Sequence, residues 1–229
     1  MTQPPTPPSV PERLEGLRRD IDGQGRRVLD LVLRAVECYF DADHAKAQGV
    51  VADDDEIDRV DVEIERACIA ALRSGLEGEH EIRSVLTIVK VNNELERIAD
   101  LAANIAEAVL AGEATGPATL RVMANSVVGM LRDSIRSLAS GHADLANQVL
   151  RFDDTVDAFR GEIFRDAQSR VESGEVPVVV AFRLLGVAKA LERIADHCTN
   201  ICEQVIYLQS GKIVRHRPEG WSEPEMPAS

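Results

Sequence analysis

Apolar side chains recur at intervals of three, four and seven residues along most of this chain, which is the spacing of one face of an α-helix. The first stretch of this kind spans 14–40, where Gly23 and Gly25 weaken the pattern without ending it. Turn residues and potential caps separate one stretch from the next. The pattern predicts six helices, at 14–40, from a cap at Asp41 or Asp43 to Ser74, and at 81–111, 118–139, 144–171 and 178–208.

The second half of the chain repeats the first. The hexapeptide LERIAD occurs at 95–100 and again at 191–196, and an Asn, an Ile and a Glu that follow it also match. The preceding helices match at a separation of 99 residues instead of 96, so the first half has three additional residues, Leu76-Glu77-Gly78, inside a predicted loop. A repeat of this kind indicates one structural unit that is present twice.

Each copy contains three predicted helices joined by short connections, which is typical of an antiparallel bundle. No alternating, strand-like pattern interrupts either copy. We therefore predict an all-α fold of two tandem antiparallel three-helix bundles, spanning 12–112 and 116–212. Outside them we expect a disordered Pro-rich tail at 1–11 and a loose C-terminal tail at 217–229.

The composition agrees with a helical protein and narrows the range of partners. Apolar residues make up 45% of the chain, enough to fill a core, whereas aromatic residues make up only 3%. A net charge of −13 makes nucleic acid an improbable partner, because binding to a phosphate backbone requires clustered Lys and Arg. The sequence has neither a recognisable signal peptide nor an apolar run long enough to insert into a membrane, so we expect a cytoplasmic protein.

The four cysteines form no C-x-x-C pair, which excludes a zinc ribbon and a thioredoxin-type motif. Cys198 and Cys202 have a spacing that could hold a metal ion, but they fall on the apolar face of their helix. The first copy has Ala102 and Ala106 at these positions. We therefore interpret the cysteines as reduced residues of the core.

Acidic residues follow a second stripe along the same helices, more than a right angle away from the apolar stripe. Residues at i and i+4 on a helix have Cβ atoms about 5–6 Å apart, so one pair can offer two carboxylates to a single ion. All-oxygen ligation favours Mg²⁺, Mn²⁺, Ca²⁺ or ferric iron over zinc held by Cys and His. The alternative is an acidic surface that is simply solvated. The pairs at this spacing are Asp54 and Asp58, Glu96 and Asp100, Asp153 and Asp157, and Glu192 and Asp196.

Three other polar features have simpler interpretations. His197 falls between the two stripes, where we expect a surface histidine and not a metal ligand. Glu77-x-x-His80 occurs once and lies in the inserted loop, whereas di-iron carboxylate proteins use two such motifs within bundle helices. Arg97 and Arg193 follow the candidate glutamates, and we expect them to neutralise part of the acidic charge.

These motifs resemble those of the PhoU family of bacterial phosphate-transport accessory proteins. The resemblance rests on the repeated LERIAD, on the D-x-x-x-D of each second helix and on the ending IYLQSGKIVRH, and it covers nearly all of 12–216. It implies two bundles related by pseudo-twofold symmetry, and a homodimer. It also implies a cytoplasmic negative regulator of phosphate uptake and of the phosphate-starvation response, which acts as an adaptor between the ATPase of the phosphate importer and a sensor histidine kinase.

Some members of this family carry iron or zinc clusters on such acidic motifs, and others are found without metal. Where the family often has Gly, this chain has Ala99 and Ala195, a difference that affects helix packing. Iron, zinc, manganese and magnesium are thus the metal ions to consider, and no organic cofactor is implied. Carried over by position, the resemblance places candidate metal ligands at Asp54, Asp58, Glu96, Asp100, Asp153, Asp157, Glu192 and Asp196.

Three hypotheses about function follow from the sequence. The first is a non-catalytic regulatory adaptor of the PhoU type, which we favour. The second is a carboxylate-bridged metal enzyme, a hydrolase or an oxidase, which would need a substrate pocket and an open metal position; the chain has no nucleophile motif and no Gly-rich phosphate loop. The third is a plain helical scaffold whose acids only solvate its surface.

Overall fold

Six long helices form the bulk of the part of the chain that the structure describes. The structure, a computed structural model, describes residues 9–112, 116–217 and 220–222. Each helix begins and ends within a few residues of the position that the hydrophobic pattern predicts. The helices are α1 (Val10–Asp41), α2 (His44–Arg73), α3 (Glu79–Leu110), α4 (Ala118–Ser140), α5 (Ala143–Glu172) and α6 (Val178–Ser210).

The first helix starts earlier than the prolines of the N-terminal tail suggest. Ser9 caps it, with its backbone N–H and its hydroxyl both donating to Glu12 Oε2, at 2.7 and 2.8 Å. Pro11 lies in the first helical turn, where a missing N–H costs nothing because that group would have no partner within the helix. The first two residues of the bundle, Val10 and Pro11, thus come from the segment predicted to be disordered, and residues 1–8 lie outside the described residues.

The helices form two tandem three-helix bundles, as predicted. Helices α1, α2 and α3 pack together in the first bundle, and α4, α5 and α6 in the second. The two copies also agree in local detail: Ala42 directly follows α1 and Gly141, 99 residues later, directly follows α4, and both residues adopt the left-handed backbone conformation that commonly closes a helix. In each LERIAD segment the Leu and the Ile are buried in the core.

The two bundles pack against each other along a seam, by which we mean the contacts of α1 with α4 and of α3 with α6. Gly25 lies in this seam. A Cβ atom at its position would come within 3.2 Å of the Ile135 side chain of α4. The absence of a side chain at Gly25 therefore permits the close approach of α1 and α4. From the sequence alone, Gly25 was interpreted only as a residue that weakens its helix.

A short hairpin follows α6. Strand β1 (Arg215–Arg217) pairs antiparallel with β2 (Gly220–Ser222), with Arg217 opposite Gly220. These residues depart from the loose tail predicted from 217 onwards. The prediction of a loose tail rested on Pro218, Pro224 and Pro227, none of which belongs to either strand. Residues 218–219 and 223–229 lie outside the described part of the chain.

Candidate functional site

The acidic stripes of α2 and α3 meet along the groove between the two helices. Asp54 of α2 lies close enough to Asp58 on the same helix and to Asp100 of α3 for their charges to interact, and the charge of Glu96 interacts in turn with those of Asp100 and Asp58. Glu96 is only 22% exposed. Asp54 and Glu96 are thus half-buried between the two neighbouring helices, whereas Asp58 and Asp100 lie at the more exposed edge of the groove.

This crowding raises the pKa of the carboxyl groups. Burial is the largest cause at Asp54 and the negative charges of Asp58 and Asp100 come next, and together they raise the pKa of Asp54 to about 6. The pKa of Glu96 is also raised, by burial and then by repulsion from Asp100, although Arg97 opposes the shift. The groove therefore concentrates negative charge beyond what the surrounding side chains neutralise.

Two neighbours of the groove engage part of its acidic surface. Arg97 forms ion pairs with Glu96 and Asp100, each at 3.2 Å, which agrees with the charge-neutralising role expected from its position. Asn92 of α3 donates to Asp61 of α2, to the carboxylate at 2.5 Å and to the backbone carbonyl at 3.0 Å. Asp61 continues the acidic line of α2, but its carboxylate is already held by this amide.

The second half repeats the groove in a less acidic form. Arg160 stands where the first half has Asp61, and its Nε lies 2.9 Å from Glu192 Oε2. The pKa of Glu192 is raised by burial, with Arg160 opposing the shift, and the pKa of Asp196 is raised by burial and by the charge of Asp157. Asp153 lies one turn before Asp157 on α5 and is half-buried. The two copies thus keep the four acids in common but differ in the charge around them.

The first-half groove has the chemistry of a site for a hard cation. The Asp54 Oδ1 atom is buried and has no hydrogen-bond partner among the described residues, so a cation would satisfy it. Across 9–112, 116–217 and 220–222, no three His, Cys, Asp or Glu side chains are arranged to hold one ion. Binding of a metal ion would therefore require the side chain of Asp58, Glu96 or Asp100 to rotate. The candidate metal ligands of both halves remain predictions.

The cysteines of α6 lie in the core, as interpreted from the sequence. Cys198 and Cys202 are completely buried and form no disulfide. Burial raises the pKa of Cys198 to about 12 and that of Cys202 well above its ordinary value. Both thiols therefore stay protonated at neutral pH, which is unfavourable for a nucleophile or a metal ligand.

A polar cluster lies in the seam between the two halves, and the sequence pattern of neither half predicted it. Glu94 Oε2 of α3 lies 2.6 Å from His197 Nδ1 of α6 and accepts a hydrogen bond from Asn200 Nδ2 at 3.0 Å. The side chain of His197 is only 15% exposed, so the expectation of a surface histidine is wrong. The contact joins the two halves, whereas the helical phase of a single helix does not show which residue of the other half lies opposite.

The duplication provides an apolar version of this pair for comparison. Ala190 and Leu101 occupy the positions equivalent to Glu94 and His197, and both are buried. We predict that Glu94→Ala alone lowers the free energy of unfolding by about 1–2 kcal/mol, because it leaves a half-buried imidazole without its partner. The double change Glu94→Ala and His197→Leu should recover most of this loss in urea denaturation; a double variant as unstable as the sum of the single variants would contradict the prediction.

Asp54 gives a pH-dependent prediction for the metal-free protein. Its pKa is about 6 in the fold and near 4 in an unfolded chain, so ionisation of Asp54 destabilises the fold, and the cost appears as the pH rises from about 4 through 6. With chelator present, Asp54→Asn should therefore stabilise the protein at pH 7.5 by about 0.5–1 kcal/mol after allowance for solvent screening. Thermal denaturation at pH 4.5 should show no such gain; an equal gain at both pH values would rule out this cause.

Two tandem three-helix bundles with paired acidic grooves define a class of small, duplicated helical proteins, and comparison with known proteins identifies the family. The PhoU domain matches residues 21–109 and 120–205 of this chain. The chain belongs to the PhoU family. No helix in the described ranges has the length and apolar character to cross a membrane.

Relatives match over most of their length. The chain is 30% identical to the phosphate-specific transport system accessory protein PhoU homolog 1 of Thermotoga maritima, covering 86% of this chain and 87% of the relative. It is 32% identical to the PhoU homolog of Clostridium acetobutylicum, covering 88% and 94%. Among solved structures, the phosphate transport system regulatory protein PhoU of Streptococcus pneumoniae is 25% identical and superimposes with a TM-score of 0.85, covering 90% of this chain and all of that chain.

Proposed function

We propose that this protein is a non-catalytic accessory protein of the phosphate transport system, which represses phosphate uptake and the phosphate-starvation response when phosphate is plentiful. In this proposal the chain acts as an adaptor that contacts the ATPase of the phosphate importer and a sensor histidine kinase. The two bundles, which pack against each other along their seam, present extended helical surfaces on which two partners can dock. Its activity consists of binding and not of turnover.

The observation that carries the proposal is the extent of the family match. Both bundles match the PhoU domain, and the relatives named as phosphate-specific transport system accessory proteins are covered over most of their length. The match is therefore to the whole regulatory protein and not to an isolated helical bundle. The chemistry of the chain also supports a binding role, since burial keeps the thiols of Cys198 and Cys202 protonated and the acids lie in paired helical grooves.

The adaptor function is tested by co-purification from the native host. A tagged chain, isolated from cells grown with abundant phosphate, should retain the importer ATPase or the sensor kinase, as identified by mass spectrometry. Recovery of neither protein would contradict the adaptor function. Reproducible hydrolase or oxidase turnover that is lost in both Asp100→Ala and Asp196→Ala would instead favour the carboxylate-bridged metal enzyme.

We further propose that the acidic grooves bind a hard metal ion, with Asp54, Asp58, Glu96 and Asp100 as candidate ligands in the first half. The buried and unpartnered Asp54 Oδ1 supports this proposal, as does the crowding of like charges that a cation would relieve. A bound ion would hold α2 and α3 together at this groove. The second-half groove should bind more weakly, because Arg160, which pairs with Glu192, replaces the acidic Asp61 of the first half.

Elemental analysis of protein purified without chelator tests the metal proposal. The triple variant Asp58→Asn, Glu96→Gln and Asp100→Asn should contain less metal than the wild type. The matched control, Asp157→Asn, Glu192→Gln and Asp196→Asn, should lose a smaller amount. Equal metal content in the wild type and the first variant would remove the first-half site.

A further inference from the structure

A cavity opens at one end of the seam, where α1, α3, α4 and α6 approach one another. Its volume is about 380 Å³, which lies in the range of pockets that hold small organic ligands. Arg18 and Arg19 of α1 and His80 and Thr87 of α3 line it, and the end of α4 closes it from the second bundle. The cavity is distinct from the acidic grooves, none of whose candidate metal ligands lines it.

The duplication explains why this corner is hollow. At the equivalent corner of the other half, the Arg121 guanidinium lies 4.1 Å from the centre of the Phe40 ring, and Arg183 lies against Gly112. The three large side chains of that corner, Phe40, Arg121 and Arg183, are replaced at the hollow corner by Ala139, Asp22 and Thr87 respectively. Among the described residues, a single fold thus contains one version of this corner that Phe40, Arg121 and Arg183 occupy, here called the filled corner, and one open version.

The walls of the open corner are more polar than packing alone requires. Thr87 is completely buried and its hydroxyl has no hydrogen-bond partner among the described residues. Where the open corner has His80 and the buried Ser84, the filled corner has two valines. The valines show that apolar residues are compatible with the fold at these positions. His80 is exposed and the Ser84 hydroxyl donates to the His80 backbone carbonyl, so the unpartnered hydroxyl of Thr87 is the group that we attribute to a ligand.

The charges of the cavity favour an anionic ligand. Arg18 and Arg19 provide two guanidinium groups, where the filled corner has a proline and an alanine. The acids of the wall are Glu15 and Asp22, and Asp22 is already paired with Arg26 at 2.5 Å. Guanidinium groups bind carboxylate and phosphate oxygens through paired hydrogen bonds, and a buried hydroxyl adds a further donor.

We propose that this cavity binds a small organic or inorganic anion, whose phosphate or carboxylate oxygens are held by Arg18, Arg19 and the hydroxyl of Thr87. The site goes beyond the adaptor function proposed above. Its test uses the isolated full chain and no partner protein, so either proposal can fail without the other.

Calorimetric titration with inorganic phosphate, AMP and citrate tests the proposal and separates the two anion types. At least one probe should bind saturably below about 10 mM. The affinity for this probe should fall roughly tenfold or more in Ala139→Phe, because the new phenyl ring would occupy the cavity as Phe40 occupies the filled corner. It should fall by a similar factor in the double variant Arg18→Gln and Arg19→Gln. A matched control, Arg151→Gln and Arg165→Gln, removes two exposed arginines elsewhere and should bind as the wild type does. Ala139 is exposed, so a phenyl ring at this position leaves the core intact.

The Thr87→Val variant distinguishes a ligand-binding role of the Thr87 hydroxyl from a structural one, because stability and affinity are measured separately. Without a probe, this variant should be at least as thermally stable as the wild type, because the lost hydroxyl has no partner, and yet it should bind the probe more weakly. The proposal is wrong if none of the three probes binds saturably. It is equally wrong if Ala139→Phe or the double arginine variant binds with wild-type affinity, or if the exposed-arginine control loses as much affinity as that double variant.

Discussion

Replacing Ile98 by Ala should lower the free energy of unfolding by about 3 kcal/mol. Ile98 is completely buried in the core of the first bundle, so the change removes apolar contacts and leaves a cavity. In a chain of this length such a loss corresponds to a fall in Tm of about 6–12 °C. Ile194 is the equivalent residue of the second LERIAD and is equally buried, so Ile194→Ala should lower the free energy of unfolding by a similar amount.

Glu96→Gln, two residues away on the same helix, is the matched control. Its side chain lies in the acidic groove, where burial and the charges of Asp100 and Asp58 raise the pKa of the carboxyl, although Arg97 pairs with it. Neutralising it should therefore change stability by less than about 1 kcal/mol. Urea denaturation of both variants measures the difference. If Glu96→Gln were as destabilising as Ile98→Ala, the division of LERIAD into a packing stripe and a ligand stripe would be wrong.

Gly25→Val should also be strongly destabilising, by about 2–3 kcal/mol. Even a Cβ atom at this position would come within 3.2 Å of Ile135, and the branched side chain of Val extends further towards α4. Because these contacts lie between α1 and α4, the substitution should weaken the packing of the two bundles against each other. Loss of cooperativity in thermal denaturation would accompany the loss of stability.

Gly23→Ala separates this packing effect from the general cost of glycine in a helix. At Gly23 a new Cβ atom would only contact the flexible end of Arg27, at 3.6 Å. The variant should therefore be more stable than the wild type, by up to about 1 kcal/mol, because alanine has the higher helix propensity. A Gly25→Val variant as stable as Gly23→Ala would show that α1 and α4 do not approach closely at this point.

The sequence was sufficient to predict what depends on one helix at a time. Hydrophobic period and caps predicted six helices, and the i,i+4 spacing predicted that Asp54 and Asp58 share one face of α2 and that Glu96 and Asp100 share one face of α3. The early start of α1 was missed, since Pro11 was interpreted as a helix breaker although the first turn of a helix tolerates it.

Features that depend on the packing of one half against the other could not be predicted in this way. The contact of Glu94 with His197, the close approach at Gly25 and the open corner beside Ala139 all lie along the seam. Helical phase specifies which way a residue faces, but not which residue of a distant helix it meets. The duplication did contain a signal: in each case the two copies differ in size or polarity at equivalent positions.

The regulatory function is tested most directly by the expression of phosphate-starvation genes in the native host with abundant phosphate. If the chain is a negative regulator of the PhoU family, deletion of its gene should switch these genes on, and a plasmid copy should switch them off again. The Ile98→Ala variant, which has a weakened core, should restore repression less well than the wild-type plasmid copy. Starvation genes that stay repressed after the deletion, or that the plasmid copy fails to repress, would contradict the proposed function.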